Sequence, residues 1–317
     1  MIISASRRTD IPTYFSDWFL NRIKEKYVLV RNPMNIHKVS KINLSPDVVD
    51  CIVFWTKNPK PMIQKLELLQ DYKYYFQFTL NSYDKDIEEN VPFKSTEVID
   101  TFKKLSDKIG PEKVIWRYDP IFLSDKYTIE YHVEYFEKLA KHLQDYTEKC
   151  TISFMDFYDK INSNIKSLNI VDMQLSDKRM LAKSLSKIAS DCGLKIETCA
   201  EDIELIDFGI THASCIDAKL ISRIIDNPIN VEKDKNQRLE CGCVASIDIG
   251  LYNTCLNGCK YCYANHNLNT VKNNFAKYDK KSPLLCGEID NQDVINDREV
   301  KSLKVAQLSL FSDDSIQ

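Results

Sequence analysis

Short runs of β-forming residues alternate with amphipathic helical patterns along most of this chain, and that alternation constrains the fold more than any other feature. The candidate strands occupy residues 2–6, 50–56, 74–80, 113–118, 150–154, 194–198, 210–215 and 245–250. Apolar residues at helical spacing occupy the segments between them, at 15–25, 60–70, 95–109, 127–145, 177–191 and 216–226. Strands that alternate with helices are typical of parallel βαβ units.

The number of such units predicts an α/β fold built on a parallel (β/α) barrel, complete or partial, over residues 1–266. An open doubly wound sheet is the alternative, but that fold normally has a glycine-rich phosphate loop after its first strand, and the first glycine here is Gly110. Residues 27–44 predict a β-hairpin inserted before the second barrel strand. Residues 267–317 are predicted to form a C-terminal extension with a disordered end.

Composition limits the functional classes. Of 317 residues, 44% are apolar and 28% charged, and no apolar run approaches the roughly 18 residues that a membrane span needs. The N-terminal residues lack the long apolar segment of a secretory signal, so we expect a cytoplasmic protein with no membrane partner. A net charge of -3 gives no general reason to bind nucleic acid. In a reducing compartment, eleven cysteines favour metal ligands or reactive thiols over disulfides.

Polar side chains follow most of the predicted strands. In a parallel barrel the chemistry takes place beyond the C-terminal ends of the strands, so these residues are expected to surround one mouth. Guanidinium and ammonium groups suit carboxylates and phosphates, and a mouth of this kind predicts an anionic ligand. The predicted catalytic and anion-binding residues are Arg7, Arg8, Asp10, Lys57, Arg117 and Asp119.

Three cysteines stand close together on the loop that leaves the last predicted strand. Cys255, Cys259 and Cys262 have a C-x3-C-x2-C spacing directly after ASIDIGLYNT. A short looped peptide can supply three thiolates to a 4Fe-4S cluster, and three ligands leave one iron open. Tyr261 would provide a flat apolar wall beside this cluster.

Four further cysteines follow or precede the last predicted strands, namely Cys199, Cys215, Cys241 and Cys243. They could converge on a second iron-sulfur cluster or a zinc ion. Two alternatives stay open. Cys215 could simply be packed core, or Cys241 and Cys243 could join Cys259 and Cys262 around one structural zinc.

The triplet with its aromatic residue resembles the signature of the radical S-adenosylmethionine (SAM) enzymes. In that superfamily the open iron binds SAM, which is cleaved reductively to a 5'-deoxyadenosyl radical. The motif usually follows the first barrel strand, and here it follows the last, so the resemblance implies a circularly permuted barrel. The resemblance also implies cofactor contacts from residues near the cluster strand and mouth, with Ser4, Ser6, Thr9, Asn81 and Tyr261 as candidates.

Nearly the whole sequence resembles an uncharacterised family known as domain of unknown function 1848. The matching stretches are ISASRRTDIP, VLVRNPMN, VVDCIVFWTKNPKPM, FQFTLN, WRYDPI and CGCVASIDIGLYNTCLNGCKYCYAN. That family is similar to the radical SAM lyases that repair spore DNA photoproducts. The resemblance implies an enzyme that receives electrons from a small donor protein of the flavodoxin or ferredoxin type. Its substrate stays open, nucleic acid included; a non-catalytic zinc or iron-sulfur module for nucleic acid or electron transfer is the alternative.

Overall fold

A computed structural model describes residues 1–156, 162–265 and 267–305. Its main element is an eight-stranded sheet in which every neighbouring pair is parallel. The strands of this sheet are β1 (Ile2–Ala5), β4 (Cys51–Thr56), β5 (Tyr74–Thr79), β6 (Val114–Ile121), β7 (Lys149–Phe154), β8 (Lys195–Cys199), β9 (Thr211–Ala213) and β10 (Ile247–Asp248). The expected parallel α/β fold is confirmed, and each predicted strand is present.

The strand order is β10-β1-β4-β5-β6-β7-β8-β9. It contains no reversal, because each strand lies beside the one that precedes it in the main sheet. The exception is β10, which comes last in the chain and pairs with the first strand, Ile3 opposite Ile247 and Ser4 opposite Asp248. Within the described residues the edge strands β9 and β10 form no ladder with each other.

Helices follow the strands as the apolar periodicity predicts. The α-helices are α1 (Ile11–Tyr14), α2 (Ser16–Glu25), α3 (Lys60–Ile63), α4 (Ile99–Ile109), α5 (Ile129–Leu143), α6 (Asn162–Ile165), α7 (Leu175–Asp191), α8 (Ala218–Ile225) and α9 (Leu268–Phe275). The predicted helix at 60–70 is divided, since a 3-10 turn at Leu66–Leu69 follows α3. Side chains cap several helices; at α5, Thr128 accepts a hydrogen bond from the Tyr131 amide, and at α8, Asp217 accepts from the amides of Lys219 and Leu220.

The two faces of the sheet have separate apolar cores. Alternate strand residues such as Phe54, Phe76 and Trp116 pack with α2, α4, α5 and α7. The opposite face packs Val53 and Tyr75 against α8 and the segment from 215 to 243. Burying a side chain such as that of Phe76, which is 0% exposed, contributes about 1.5–3 kcal/mol. Both faces of the parallel sheet are thus covered, as such sheets require.

The hairpin predicted at 27–44 is confirmed as β2 (Tyr27–Asn32) and β3 (Asn35–Asn43). It belongs to a separate three-stranded sheet, because β11 (Val294–Arg298) from the C-terminal extension pairs parallel with β3. The extension also packs on α2, where the Trp18 indole donates to the Ser282 carbonyl at 2.9 Å. The predicted disorder at the chain's end concerns residues 306–317, which lie outside the described residues. In the described parts of the chain, none of the helices has the length and apolar content needed to cross a bilayer.

Candidate metal centre

The cysteine triplet lies on the loop that leaves β10 at the C-terminal end of the sheet. This loop is fixed by the segment that follows β5. Glu88 and Cys259 form an antiparallel bridge, and the Lys260 amide donates to the Ile87 carbonyl at 3.0 Å. The Asn90 amide group donates to the Leu256 carbonyl at 2.8 Å. Two loops that are distant in sequence therefore determine the path of the triplet.

Asn257, inside the cysteine loop, connects the triplet to the first strand. Its side-chain amide donates to Asp10 at 3.1 Å, and its oxygen accepts from the Tyr14 hydroxyl at 2.9 Å. Asp10 also accepts from the backbone amides of Lys57 at 2.8 Å and Thr13 at 3.0 Å. The carboxylate predicted as catalytic thus ties together the loops that follow β1, β4 and β10.

The three thiols of the triplet are largely enclosed. Cys259 is buried, and Cys255 and Cys262 are half-buried. Burial raises the pKa of all three thiols, most clearly for Cys255, because removal from water disfavours the thiolate. Metal ligation requires the thiolate form, so a bound cation would replace the thiol protons.

The spacing of the thiols differs from that of a preformed single-ion site. Three or more Cys, His, Asp or Glu ligand atoms could hold a single ion where they all lie within 4.8 Å of one another. Among the described residues, His37, Asp290 and Asp293 meet this criterion, and the cysteine triplet does not. A tetrahedral zinc with sulfur ligands at about 2.3 Å needs sulfur atoms roughly 3.8 Å apart. A polynuclear cluster attaches its ligands to different metal atoms and spreads them more widely.

A buried carboxylate that the sequence did not single out lies beside the triplet. Glu88 is 1% exposed and accepts hydrogen bonds from Lys57 at 2.7 Å, from Asn81 at 3.4 Å and from the Tyr261 hydroxyl. Its second oxygen is 2.8 Å from Lys94. Burial alone would raise the pKa of Glu88, but the two ammonium groups outweigh it and lower the pKa to about 2. Three predicted site residues thus meet on one ionised carboxylate.

Asp248 on β10 has a comparable role for the first strand. It accepts from the hydroxyls of Ser4 at 2.6 Å and Ser6 at 2.7 Å, and from the Arg7 and Gly250 amides at 2.9 Å. Ser4 and Ser6 were predicted to contact a cofactor; in the structure their hydroxyl groups donate hydrogen bonds to the Asp248 carboxylate.

Gly250, two residues further on, is required by the close approach of β1. A Cβ atom there would lie 2.1 Å from Ser6 Oγ and 3.2 Å from Thr9 Cγ2.

The two arginines that follow β1 have different partners. The Arg7 guanidinium lies 5.4 Å from the Trp55 ring and 3.8 Å from Asp234. Arg8 stacks 5.1 Å from the Tyr252 ring. Arg7 Nη2 and Thr9 Oγ1 are buried and have no hydrogen-bond partner among the described residues. Buried polar atoms of this kind are uncommon and fit a ligand-binding surface.

The buried Arg117 forms an ion pair with the half-buried Asp119, with Arg117 Nε 3.0 Å from the carboxylate. Ser153 donates to the other oxygen of Asp119, and the Asn81 side chain bonds the Asp119 backbone at 2.7 and 2.9 Å. Arg117 Nη1 also donates to Cys215 Sγ at 2.7 Å. The predicted mouth residues of β5 and β6 are therefore in mutual contact.

Glu201, in the loop after β8, accepts from the Phe154 amide at 2.7 Å. Burial raises its pKa to about 7, and the nearby carboxylates of Asp156 and Asp119 add to that rise. A group with this pKa at the C-terminal end of the sheet can exchange protons near neutrality.

The other four cysteines converge at the C-terminal ends of β8 and β9. The sulfur atoms of Cys199 and Cys215 are 3.1 Å apart. Cys243 Sγ accepts a hydrogen bond from the Ile216 amide at 3.3 Å, next to Cys215. Cys215, Cys241 and Cys243 belong to one apolar cluster, and Cys199 packs against it, so the structure brings the four residues to one end of the sheet.

Sequence reasoning missed Glu88, Asp248 and Asn257. Asp248 had a signal, since an acidic residue interrupts the apolar run of a predicted strand. Asn257 lies inside the motif but could not be distinguished from a turn residue. Glu88 lies in the polar segment DKDIEEN, whose composition predicts an exposed loop.

A cavity of about 450 Å³ lies at the opposite, N-terminal end of the strands, near Thr147, Lys195 and Arg223. It contains none of the predicted site residues, and the chemistry expected of a parallel sheet belongs to the other end. We therefore assign the candidate site to the C-terminal end.

Comparison with known proteins yields a family and no activity. A family model described as a domain of unknown function, DUF1848, matches residues 2–264. No curated protein matches the chain significantly. A solved structure of a "putative alpha-L-fucosidase" from Bacteroides thetaiotaomicron VPI-5482 is 12% identical, covers 56% of this chain and 84% of its own, and has a TM-score of 0.24. So low a structural similarity supports no inference.

Proposed function

The chain belongs to the DUF1848 family, a domain of unknown function, and because that description names no activity we propose one from the site itself. The protein is a radical SAM enzyme whose 4Fe-4S cluster is held by Cys255, Cys259 and Cys262. The observation that carries the proposal is the position of this C-x3-C-x2-C loop, which leaves a parallel strand at the C-terminal end of the sheet.

The strand order supports a permuted partial barrel. The last strand of the main sheet, β10, pairs in parallel with β1, and the order then continues without reversal to β9. The cysteine loop is therefore next to the first strand although it is late in sequence. A barrel whose first strand has been moved to the end of the chain has this order.

The residues at the site fit the cluster and its ligand. Three thiols with soft sulfur donors suit iron, and their number leaves one iron without a protein ligand. Buried polar atoms without described partners line the surroundings, namely Arg7 Nη2, Thr9 Oγ1 and Asn265 Oδ1. Gly250 lets β1 and the start of the cysteine loop approach each other closely.

When bound, the cluster would supply the electron that cleaves SAM to a 5'-deoxyadenosyl radical. The protein's residues would position SAM and the substrate and shield the radical from solvent. Glu88 keeps Lys57 charged and orients it, with Asn81 and Tyr261, beside Cys259. The arginines Arg7, Arg8 and Arg117 supply positive charge for SAM's carboxylate or an anionic substrate, nucleic acid among the candidates. Asp10 and Asp119 fix the loops that carry these groups. A small flavodoxin- or ferredoxin-type protein supplies the electron.

The test is iron binding by single cysteine variants after anaerobic reconstitution. Cys255→Ser, Cys259→Ser and Cys262→Ser should each lose about four irons per chain relative to wild type. Cys192→Ser is the matched control, since Cys192 is a half-buried cysteine at the end of α7. Addition of SAM should change the electron paramagnetic resonance spectrum of the reduced wild-type cluster. Equal iron in all variants, or a spectrum that ignores SAM, would refute the proposal.

A further inference from the structure

Four cysteines outside the triplet form a second constellation at the same end of the sheet. They come from three separate segments: the end of β8, the residue two past β9, and the segment before β10. The members are Cys199, Cys215, Cys241 and Cys243. Cysteines packed only as small hydrophobes need not converge, so their meeting at one place calls for an explanation.

Two of the four sulfur atoms are in direct contact. Cys199 Sγ and Cys215 Sγ are 3.1 Å apart, and Cys243 Sγ accepts a hydrogen bond at 3.3 Å from the amide of Ile216, the residue after Cys215. All four are free thiols. The four thiols provide as many soft donors as a structural zinc or a cubic iron-sulfur cluster takes. Among the described residues, no three of their sulfur atoms lie mutually within 4.8 Å, so metal binding would have to rearrange these side chains.

The backbone is built to bring these segments together. Gly242 separates Cys241 from Cys243, and a Cβ atom there would lie 2.5 Å from Ser214 Oγ, beside Cys215. The Ser214 hydroxyl donates to the Gly242 carbonyl at 2.8 Å. Glycine at this position therefore allows the Cys-Gly-Cys segment to reach the segment that carries Cys215.

Positive charge faces the thiols. Arg117 Nη1 donates to Cys215 Sγ at 2.7 Å, and the Arg7 guanidinium lies close enough to interact with Cys215, Cys241 and Cys243. A metal centre with four thiolates carries net negative charge, which these guanidinium groups would offset. The arginines also belong to the mouth, so this constellation adjoins the site of the triplet.

We propose that Cys199, Cys215, Cys241 and Cys243 ligate a second metal centre, a zinc ion or an iron-sulfur cluster. Soft thiolate ligands in a set of four select these two chemistries. Binding replaces four thiol protons, which pass to solvent, and leaves the oxidation state of the sulfur unchanged. This inference is independent of the proposed function, because it concerns ligands that the triplet does not use.

The test removes the triplet and counts what stays bound. In a Cys255→Ala, Cys259→Ala, Cys262→Ala variant, we expect about one zinc per chain after loading with zinc alone, or about four irons after anaerobic reconstitution with iron and sulfide. Adding Cys241→Ser and Cys243→Ser should reduce that metal about tenfold, whereas adding Cys192→Ser should not. The metal that is retained identifies the centre. Retention of neither metal by a folded triplet variant overturns the proposal.

A complementary variant covers the case in which the triplet variant does not fold. Cys241→Ser with Cys243→Ser in the otherwise wild-type chain should halve the iron of a two-cluster protein, or remove the zinc while about four irons stay. Unchanged iron and zinc in this variant overturn the proposal. If the wild-type protein contains the second metal but does not cleave SAM, only the proposed function is refuted.

Discussion

At the scale of single residues, the least expected feature is a carboxylate that two lysines hold in its ionised form inside the protein. Glu88 could not be identified from the sequence, because its burial depends on a loop that folds back onto the cysteine motif. Lys57, Asn81 and Tyr261 were predicted as site residues, and their common partner explains why they lie together. Site residues that directly follow strands could be predicted from the strand pattern of the sequence. Glu88, the carboxylate that binds three of them, could not.

Glu88→Gln should destabilise the protein by about 3–5 kcal/mol, because it leaves the half-buried ammonium groups of Lys57 and Lys94 without their buried counter-charge. Urea unfolding at pH 7 measures this. Glu89→Gln is the control: Glu89 is exposed, and its variant should stay within about 0.5 kcal/mol of wild type. Equal stability of the two variants would contradict the assigned role.

Acid should reveal the same carboxylate. The pKa of Glu88 is about 2 in the folded state and lies below its ordinary value of 4.5. Its contribution to stability is therefore complete above about pH 5 and is lost as the pH falls towards 2, since the unfolded state takes up the proton first. Wild type should lose more stability than Glu88→Gln over that range. Parallel stability curves for the two proteins would be inconsistent with this pKa.

Glu201 should show the opposite dependence. Its pKa is raised from 4.5 to about 7, so the folded state keeps a proton that the unfolded state has released. Stability should fall as the pH rises from about 4.5 to about 7. Glu201→Gln keeps an acceptor for the Phe154 amide and should flatten this part of the profile. Unfolding free energies at pH 5, 6, 7 and 8 test it, and a variant that declines as steeply as wild type would disprove the assignment.

At the scale of secondary-structure elements, apolar runs and helical periodicity predicted the strands and helices of the main sheet well. Both faces of a parallel sheet are buried, and so its strands are marked by continuous apolar runs. The pairing of β11 with β3 was not foreseen, because its residues are exposed and their partner lies more than 250 residues away. Non-local pairing of a polar strand leaves little local signal.

The junction between β10 and the cysteine loop depends on Gly250. Gly250→Ala should destabilise the protein by about 1–3 kcal/mol, since a methyl group would overlap Ser6. Reconstituted iron per chain should fall in the same variant. Gly193→Ala is a useful contrast, because open space surrounds Gly193 and only its positive φ of +69° is strained. Normal iron binding by Gly250→Ala would show that the junction does not shape the site.

At the scale of the whole molecule, the order of the strands determines where the late cysteine motif lies in the fold. From its position near the end of the chain, the motif could belong to a peripheral extension. The pairing of β10 with β1 instead places it beside the first strand of the sheet. The sequence predicted this neighbourhood through a resemblance, and the parallel strand order agrees with it. The covering of the second face by α8 and the residues up to Cys243 had no such signal, because it arises from long-range packing.

The central claim is that the triplet supports cleavage of SAM. The most direct measurement is the amount of 5'-deoxyadenosine formed when the anaerobically reconstituted, reduced protein is given SAM. Wild type and Cys192→Ser should both form it, and Cys259→Ser should fall to background. A well-folded wild-type protein with about four or more irons per chain that forms no 5'-deoxyadenosine would contradict the account.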